Sequence, residues 1–322
     1  MFKYVLKRIG LAIISMFIIM TMLFVLVKLL PNPVVVTMGN QGKALEEMRR
    51  AWGYYDPIPQ QYVVFLKNVF TKFDWGFCTT VGTFLQPVTE YLATKFPFTI
   101  YVNVFAVVIS IPVGVIFGIF AAIFKNKWQD QVINVFIMLF ISVPSFVYAF
   151  LLQYIVGFKL NLCPLVLDAG YDFFSWSMFR SAIMPILALS FGSIAGYMRL
   201  IRAELTETLT TDYMLLARTK GLTRWQASFR HAFRNSLIPI VPRFLADFIF
   251  IIGGSLIIEQ IFSVPGIGRT YLASLNLKDY NVFMCLSMFY VVIGLSAGIL
   301  FDLSYGFIDP RIRMGGGKTN EL

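Results

Sequence analysis

Six apolar stretches constrain this 322-residue chain: residues 9–27, 98–124, 132–158, 183–198, 237–258 and 282–301. Each approaches or exceeds the roughly 20 residues with which an α-helix crosses a bilayer core. The remaining residues cannot coat a water-soluble fold, since only 14% of the chain is charged, against about 25% in ordinary globular domains. Disorder is excluded by the 33 phenylalanines and the abundance of Ile, Leu and Val. The reading is an all-α integral membrane protein with six transmembrane helices.

Several function classes fall away with this. The polar remainder is too short for a large soluble catalytic domain. Cys78, Cys163 and Cys285 show no CxxC spacing, so neither a zinc site nor a disulfide framework is indicated. Cys78 and Cys163 lie on the same outer side, yet nothing in their spacing asks for a bond. One histidine, His231, excludes a His-rich metal centre. The net charge of +10 raises nucleic acid as a partner, but the basic residues follow the membrane instead.

That pattern sets the topology. Lys3, Lys7 and Arg8 precede an uncleaved first span that ends at Leu30-Pro31. Alternating from there, residues 1–8, 125–130, 199–234 and 302–322 are inside and carry 15 Lys/Arg in 71 residues. Residues 31–97, 159–180 and 263–281 are outside, with 10 in 108. The inner density is more than twice the outer, as the positive-inside rule requires. Both termini are therefore expected in the cytoplasm. The expected organisation is a tail and first span over 1–30, an external helical segment over 31–97, a five-span core over 98–303 and a tail over 304–322.

Two hydrophilic segments carry further pattern. In the external one, Ala44–Trp52 reads as a short helix ended by Gly53, and Asp56-Pro57 opens a second. Tyr62, Phe65, Leu66, Val69, Phe70 and Phe73 form a stripe on that second helix. The stripe fits either a helix lying on the bilayer or span ends, or a docking surface for an external partner. In the inner segment, over 199–234, the fourth span reads as continuing past Arg199, Arg202, Glu204, Glu207 and Tyr213 to Ala217. Gly221 is a left-handed C-cap, and Thr223 with Gln226 is a capping box that starts a new helix. Trp225, Phe229, Ala232 and Phe233 form its apolar stripe; Arg224, Arg230, His231 and Arg234 are polar. A solvated connection has no need of such a stripe, so the elbow reads as a partner-binding surface.

At membrane depth the fifth span holds Arg243 and Asp247, one turn apart, with Glu259 near its outer end. Such charges face a protein interior or a watery path. The pair fits an ion pair bracing two subunits or a pathway wall touching substrate termini. Pro144 and Pro185 are expected to kink the third and fourth spans.

Tyr213-x-x-x-Ala217-Arg218-Thr219-Lys220-Gly221-Leu222 followed by His231-x-x-x-Asn235 resembles the cytoplasmic signature of binding-protein-dependent ABC importer permeases. More narrowly it resembles the oligopeptide/dipeptide/nickel group. Trp52–Pro57, Phe96-Pro97-x-Thr99, Glu259-x-Ile261-Phe262-x-x-Pro265-Gly266-x-Gly268, Asp279-Tyr280 and Asp302-x-x-Tyr305 with Asp309–Arg313 agree in order. The long outer segment matches the B-type subunit. Departures are Leu215-Leu216-Ala217 for a Glu-Ala-Ala run, Thr219-Lys220-Gly221 for Ala-Lys-Gly, and Asp74-Trp75-Gly76-Phe77 for Gly-Asp-Leu-Gly.

The resemblance implies the fold of MetI-like ABC importer permeases and a non-catalytic subunit of an ATP-driven importer in a bacterial cytoplasmic membrane. It implies a paralogous permease, two cytoplasmic ATPases that hold ATP and magnesium, and an external binding protein. Peptides lead as substrate over nickel chelates or another small solute, since no His/Cys cluster favours nickel. The elbow would be the coupling helix, with Lys220, Arg224 and Arg230 pairing acidic groups on an ATPase. His231 and Asn235 would hydrogen-bond the elbow to adjacent backbone. Glu259 with Pro265, Gly266 and Gly268 would form an outer gate. The tail Gly315-Gly316-Gly317-Lys318-Thr319 is no P-loop, because Ile312 stands at the first glycine position and no strand precedes it. An ATP-independent secondary transporter is the alternative from another class, but no inverted repeat is visible. A membrane-embedded enzyme would need clustered His, Asp or Cys at membrane depth. In a cysteine-free background, Lys220→Cys is expected to react with an impermeant maleimide only in inside-out vesicles; labelling from the outer face would reverse the topology.

Overall fold

The computed structural model describes residues 2–31, 40–170, 172–223, 226, 232–237 and 240–308. In chain order its helices begin α1 (Phe2–Leu29), α2 (Asn40–Ala51), α3 (Ile58–Lys72), α4 (Val88–Ala93), α5 (Phe96–Ile123) and α6 (Trp128–Ser142). Then come α7 (Ser145–Leu152) running into a π-helical turn over Gln153–Lys159, α8 (Trp176–Thr208), α9 (Asp212–Thr219) and α10 (Phe233–Ser236). The last four are α11 (Val241–Phe250), α12 (Leu256–Ile261), α13 (Ile267–Asn276) and α14 (Tyr280–Ile308).

Among the described residues, four helical runs are long and apolar enough to cross a bilayer: Val5–Leu29, Val88–Ile123, Trp176–Thr208 and Tyr280–Ser304. α6 together with Ser145–Lys159 passes the same test only as a pair bent by 101° at Val143-Pro144, the geometry of a broken span or a re-entrant loop. Pro144 cannot donate to the helix and forces Val143 into an extended conformation (ψ 126°), so the chain turns there. Pro185, by contrast, lies inside an uninterrupted α8. The apolar stretch 237–258 is not one helix. α11 stops at Phe250, Gly254 adopts a left-handed conformation (φ +67°), and Ser255 caps α12 by accepting from the Ile258 N–H. Continuous apolar composition hides such a break, because glycine is as apolar in a hydropathy window as it is permissive in backbone.

The chain divides into two compact units. One comprises Phe2–Thr99 with Pro265–Leu295. Its core joins Met20, Phe24 and Val27 of α1 to Phe65 and Val69 of α3, Trp75, Cys78, Val88, Leu92 and residues 282–286 of α14. α3 runs back along α1. Phe24 packs on Tyr62 and Phe65 with ring centroids 5.1 Å apart, and Phe17 stacks on Phe70 at 5.3 Å. The stripe of α3 thus closes on the first span instead of standing free, leaving Phe70 and Phe73 as its exposed members.

Asp279 fastens this unit. It is fully buried, and its Oδ2 accepts from the N–H groups of Thr79, Thr80 and Val81 at 2.7, 2.8 and 3.1 Å. Three successive backbone donors converging on one carboxylate make an anion cradle. Beside it, Asn281 donates to the Phe77 carbonyl at 2.9 Å, and Gly76 (φ +91°) lies so close that a Cβ there would meet Asn281 Nδ2 at 2.9 Å. Burial, with the Asp279 and Cys285 charges added, pushes the Cys78 thiol up to about 12. All three cysteines are free thiols.

The other unit comprises Ile100–Val264 and the chain from Ser296. Small residues let α5 and α8 touch backbone to backbone, as in many membrane bundles. A Cβ on Gly114 would meet Tyr197 Cβ at 2.5 Å, and one on Gly118 would meet Ile201 Cβ at 2.7 Å. Ser190 Oγ also donates across to the Ala106 carbonyl at 3.3 Å. At the α6 side, Arg202 of α8 grips Asp130 through Nε and Nη2 at 2.6 and 2.8 Å. Asp130 is buried and also accepts from the Asn126 N–H (2.9 Å) and Asn134 Nδ2 (3.0 Å). Every oxygen of the buried carboxylate is thereby matched, the condition under which burying an ion pair is tolerated.

Gly118→Val is expected to lower thermal stability by about 1–3 kcal/mol through overpacking, whereas Gly10→Val, which meets open space, leaves it unchanged; melting in detergent reads both. Asp279→Ala leaves three backbone donors, that of Val81 buried, without their acceptor and is expected to cost about 1–3 kcal/mol by the same assay.

Candidate functional site

The inner segment is built from helix signals that the structure resolves one by one. α8 does not run on to Ala217. It ends at Thr208, and a turn over Leu209–Thr211 separates it from α9. The cause is the Thr-Leu-Thr-Thr run. Thr210 Oγ1 donates to the Glu207 carbonyl at 2.7 Å and Thr211 Oγ1 to that of Thr208 at 2.6 Å, satisfying carbonyls at a helix end. The period of the apolar residues continues across this break, which is why the pattern alone reads it as one helix.

α9 ends as expected. Gly221 has φ +90°, and the Leu222 N–H reaches back to the Ala217 carbonyl at 3.3 Å. This is the six-to-one bond of a Schellman cap. Thr223 and Gln226 close the capping box in both directions: the Thr223 N–H donates to Gln226 Oε1 at 3.0 Å, and the Gln226 N–H to Thr223 Oγ1 at 3.3 Å. Arg224, Trp225, Phe229, Arg230 and His231 lie outside the described residues. Tyr213 and Asn235 have described helical backbone in α9 and α10, while their side chains lie outside the description.

The elbow rests on a floor of its own. Met214 and Ala217 of α9, Ala232 and Ile240 form one buried cluster with Ile119, Ala122 and Ile123 of α5 and Ile201 and Leu205 of α8. Leu222, Phe233, Leu237 and Phe244 pack against it. Thr219 and Lys220 remain exposed on the opposite side, with Thr219 Oγ1 donating to the Leu216 carbonyl at 2.8 Å. Among the described residues, the elbow is therefore fixed to α5 and α8 on one side and exposes Thr219 and Lys220.

A polar wall lies in the same unit. Arg243 and Asp247 pair as their spacing predicts, Nε to Oδ1 at 3.1 Å. Tyr197 of α8, which sequence reasoning missed, donates its hydroxyl to Asp247 Oδ2. No single-sequence pattern links positions 50 residues apart. Two cavities meet at this wall. One of about 120 Å³ is lined by Asn103, Ser110, Ser193, Tyr197 and Asp247 with apolar neighbours. The other, about 310 Å³, is lined by Ser193, Tyr197, Arg199 and Arg243 with Ile141, Gly196 and Leu200.

Glu259 is buried in α12, and its carbonyl accepts from the Val264 N–H at 2.8 Å, tightening the turn that follows. In the first unit, Gly266 precedes α13 in extended backbone and its carbonyl accepts from Thr270 Oγ1 at 2.8 Å. The Ile267 N–H donates to Thr99 Oγ1 at 2.9 Å, and Gly268 is buried behind it. Two blocks noted in the sequence, Phe96-Pro97-x-Thr99 and Pro265-Gly266-x-Gly268, are thus joined by a hydrogen bond.

Comparison with known proteins bears on the whole chain. Residues 114–314 match the family model described as binding-protein-dependent transport system inner membrane component, and residues 1–103 match its N-terminal companion. The dipeptide transport system permease protein DppB of Lactococcus lactis subsp. cremoris is 35% identical over 98% of this chain and 100% of its own length. The oligopeptide transport system permease protein OppB of Mycoplasma genitalium is 34% identical over 100% of this chain and 79% of its own. Among solved structures, an amino acid ABC transporter crystallised with histidines covers 67% of this chain, and 92% of itself, at 20% identity and a TM-score of 0.49. Matched along nearly its full length, this all-helical, multi-pass membrane chain belongs to the family of binding-protein-dependent transport system inner membrane components.

Proposed function

We propose that this chain is the B-type permease subunit of an ATP-driven importer of oligopeptides or dipeptides. A paralogous permease completes the pathway, an external binding protein delivers the peptide, and two cytoplasmic ATPases, holding ATP and magnesium, drive the cycle. Both termini lie in the cytoplasm in this reading. The full-length likeness to proteins named as dipeptide and oligopeptide permeases supports the substrate class.

The observation that carries the mechanism is the elbow, fixed to α5 and α8 on one side and exposing Thr219 and Lys220. Transmission of force requires a body stiffer than the loops around it. Gly221 caps the end of α9 and the reciprocal Thr223/Gln226 hydrogen bonds follow two residues later, so the chain leaving α9 is pinned at once. The buried cluster ties α9 to α5 and α8. Displacement of the elbow by an ATPase therefore moves the spanning helices. Thr219, Lys220, Gly221, Leu222, Arg224, Trp225 and Arg230 form the ATPase-facing element, Tyr213 and Ala217 its base, and His231 and Asn235 its tie to adjacent backbone. Arg243 and Asp247 belong to the pathway wall. The block from Glu259 through Pro265, Gly266 and Gly268 serves the outer gate.

The left-handed cap gives a selective test. Among the described residues no atom lies within 4 Å of a Cβ built on Gly221, so against them a substitution there is strained only through its backbone. Gly221→Val is expected to cost about 1–3 kcal/mol locally and to lower peptide-coupled ATP hydrolysis at least tenfold in the reconstituted complex. Gly221→Asn, which tolerates that conformation, retains most of it. Transport that persists with no ATPase present would contradict the proposal and favour a secondary transporter.

A further inference from the structure

The polar wall has a property that the importer reading does not itself require. Its two cavities share Ser193 and Tyr197. Asp247 lines the smaller, while Arg199 and Arg243 line the larger. The anionic and cationic residues thus serve different cavities, although Arg243 and Asp247 are paired at 3.1 Å.

The wall satisfies its own charges. Asp247 gives one oxygen to Arg243 and the other to the Tyr197 hydroxyl. This arrangement answers the cost of charge at membrane depth. It also leaves an exchange open. A molecule carrying an ammonium at one end and a carboxylate at the other can replace the internal Arg243–Asp247 pair with two external pairs, leaving no charge unmatched. The smaller chamber has room for an ammonium head and little more, while the larger reaches the lower end of the range of small-molecule sites. Apart from these charges and the Asn103 carboxamide, the lining is hydroxyls and aliphatic or aromatic groups, which offer few specific partners to peptide side chains.

Tyr197 is held along its length. Its Cβ lies where a side chain on Gly114 would collide, at 2.5 Å, its ring packs on Phe244 of α11 with centroids 5.3 Å apart, and its hydroxyl is tied to Asp247.

We infer that Asp247 in the smaller cavity, and Arg199 with Arg243 in the larger, form a two-ended site that takes the free ammonium and free carboxylate of a zwitterionic peptide in transit. The inference rests on the peptide reading above and adds to it the basis of sequence tolerance: the ends are read and the middle is not.

The test uses the complete importer in proteoliposomes with its binding protein at saturating peptide. The probes are trialanine, N-acetyl-trialanine, trialanine amide and the doubly blocked peptide. Because the binding protein is unchanged throughout, its own selectivity cancels when each variant is compared with wild type. Asp247→Asn is expected to reduce the free-to-acetylated transport ratio at least tenfold and to leave the free-to-amidated ratio intact, with Asp247→Glu restoring the former. The double variant Arg199→Gln, Arg243→Gln is expected to do the reverse. Size-exclusion chromatography checks that each complex assembles, and a complex that does so only with Asp247→Glu still reports through that variant's amine preference. Ratios equal to wild type, both ratios falling together, or uniform slowing of all four peptides would overturn the site and leave the pair as a brace. A wild-type complex that imports none of the four would overturn the peptide reading itself, and the site with it.

Discussion

The close approach of α5 and α8 governs the unit that carries the proposed machinery. Helices in lipid gain nothing from burying apolar surface against one another, so contact must come from shape and from interhelical hydrogen bonds. Gly114 and Gly118 remove the side chains that would hold the pair apart, and one level away Ser110 and Ser190 bring their hydroxyls within 3.4 and 3.3 Å of carbonyls on the facing helix. Tyr197 and Ile201 stand opposite the two glycines. One of them then reaches Asp247, and the other enters the floor of the elbow. Separate these helices, and the polar wall and the elbow lose their common foundation.

The Asp130–Arg202 clamp extends this foundation to α6. A buried bidentate pair contributes little net stability in general, but breaking it is costly because a charge is stranded. Its effect is geometric: the start of α6 and the late turns of α8 keep their spacing. A movement entering through α9 therefore reaches three helices together. In the first unit Asp279 acts alike, holding the Thr79–Val81 loop at the start of α14.

What the sequence made legible was local. Helix punctuation at Gly53, Gly221, Thr223 and Gln226 is written in residues a few positions apart, and the Arg243–Asp247 pair sits one turn apart on one face. The family resemblance lay in ordered blocks. What escaped were pairings across distance: Asp130 with Arg202, Asp279 with three amides some 200 residues earlier, Tyr197 with Asp247. Each partner is unremarkable alone, and only the fold brings them together. The misread elements have a physical cause too. Apolar periodicity continued across Leu209–Thr211 and across Gly253-Gly254, where hydroxyl capping and a left-handed glycine decided the backbone. The stripe on α3 was visible, but whether it faced a partner or the first span depended on Phe17 and Phe24.

The central claim is that the elbow and the inner ends of α5 and α8 move as one body. Spin labels at Thr219→Cys and Lys125→Cys, on exposed positions of α9 and of the turn after α5, report it directly. Pulsed dipolar distances would be measured in the assembled complex, nucleotide-free and trapped with ATP. The account predicts one narrow distribution that keeps its mean in both states; a shift of more than about one helical turn, ~5 Å, or broadening on ATP binding, would contradict it.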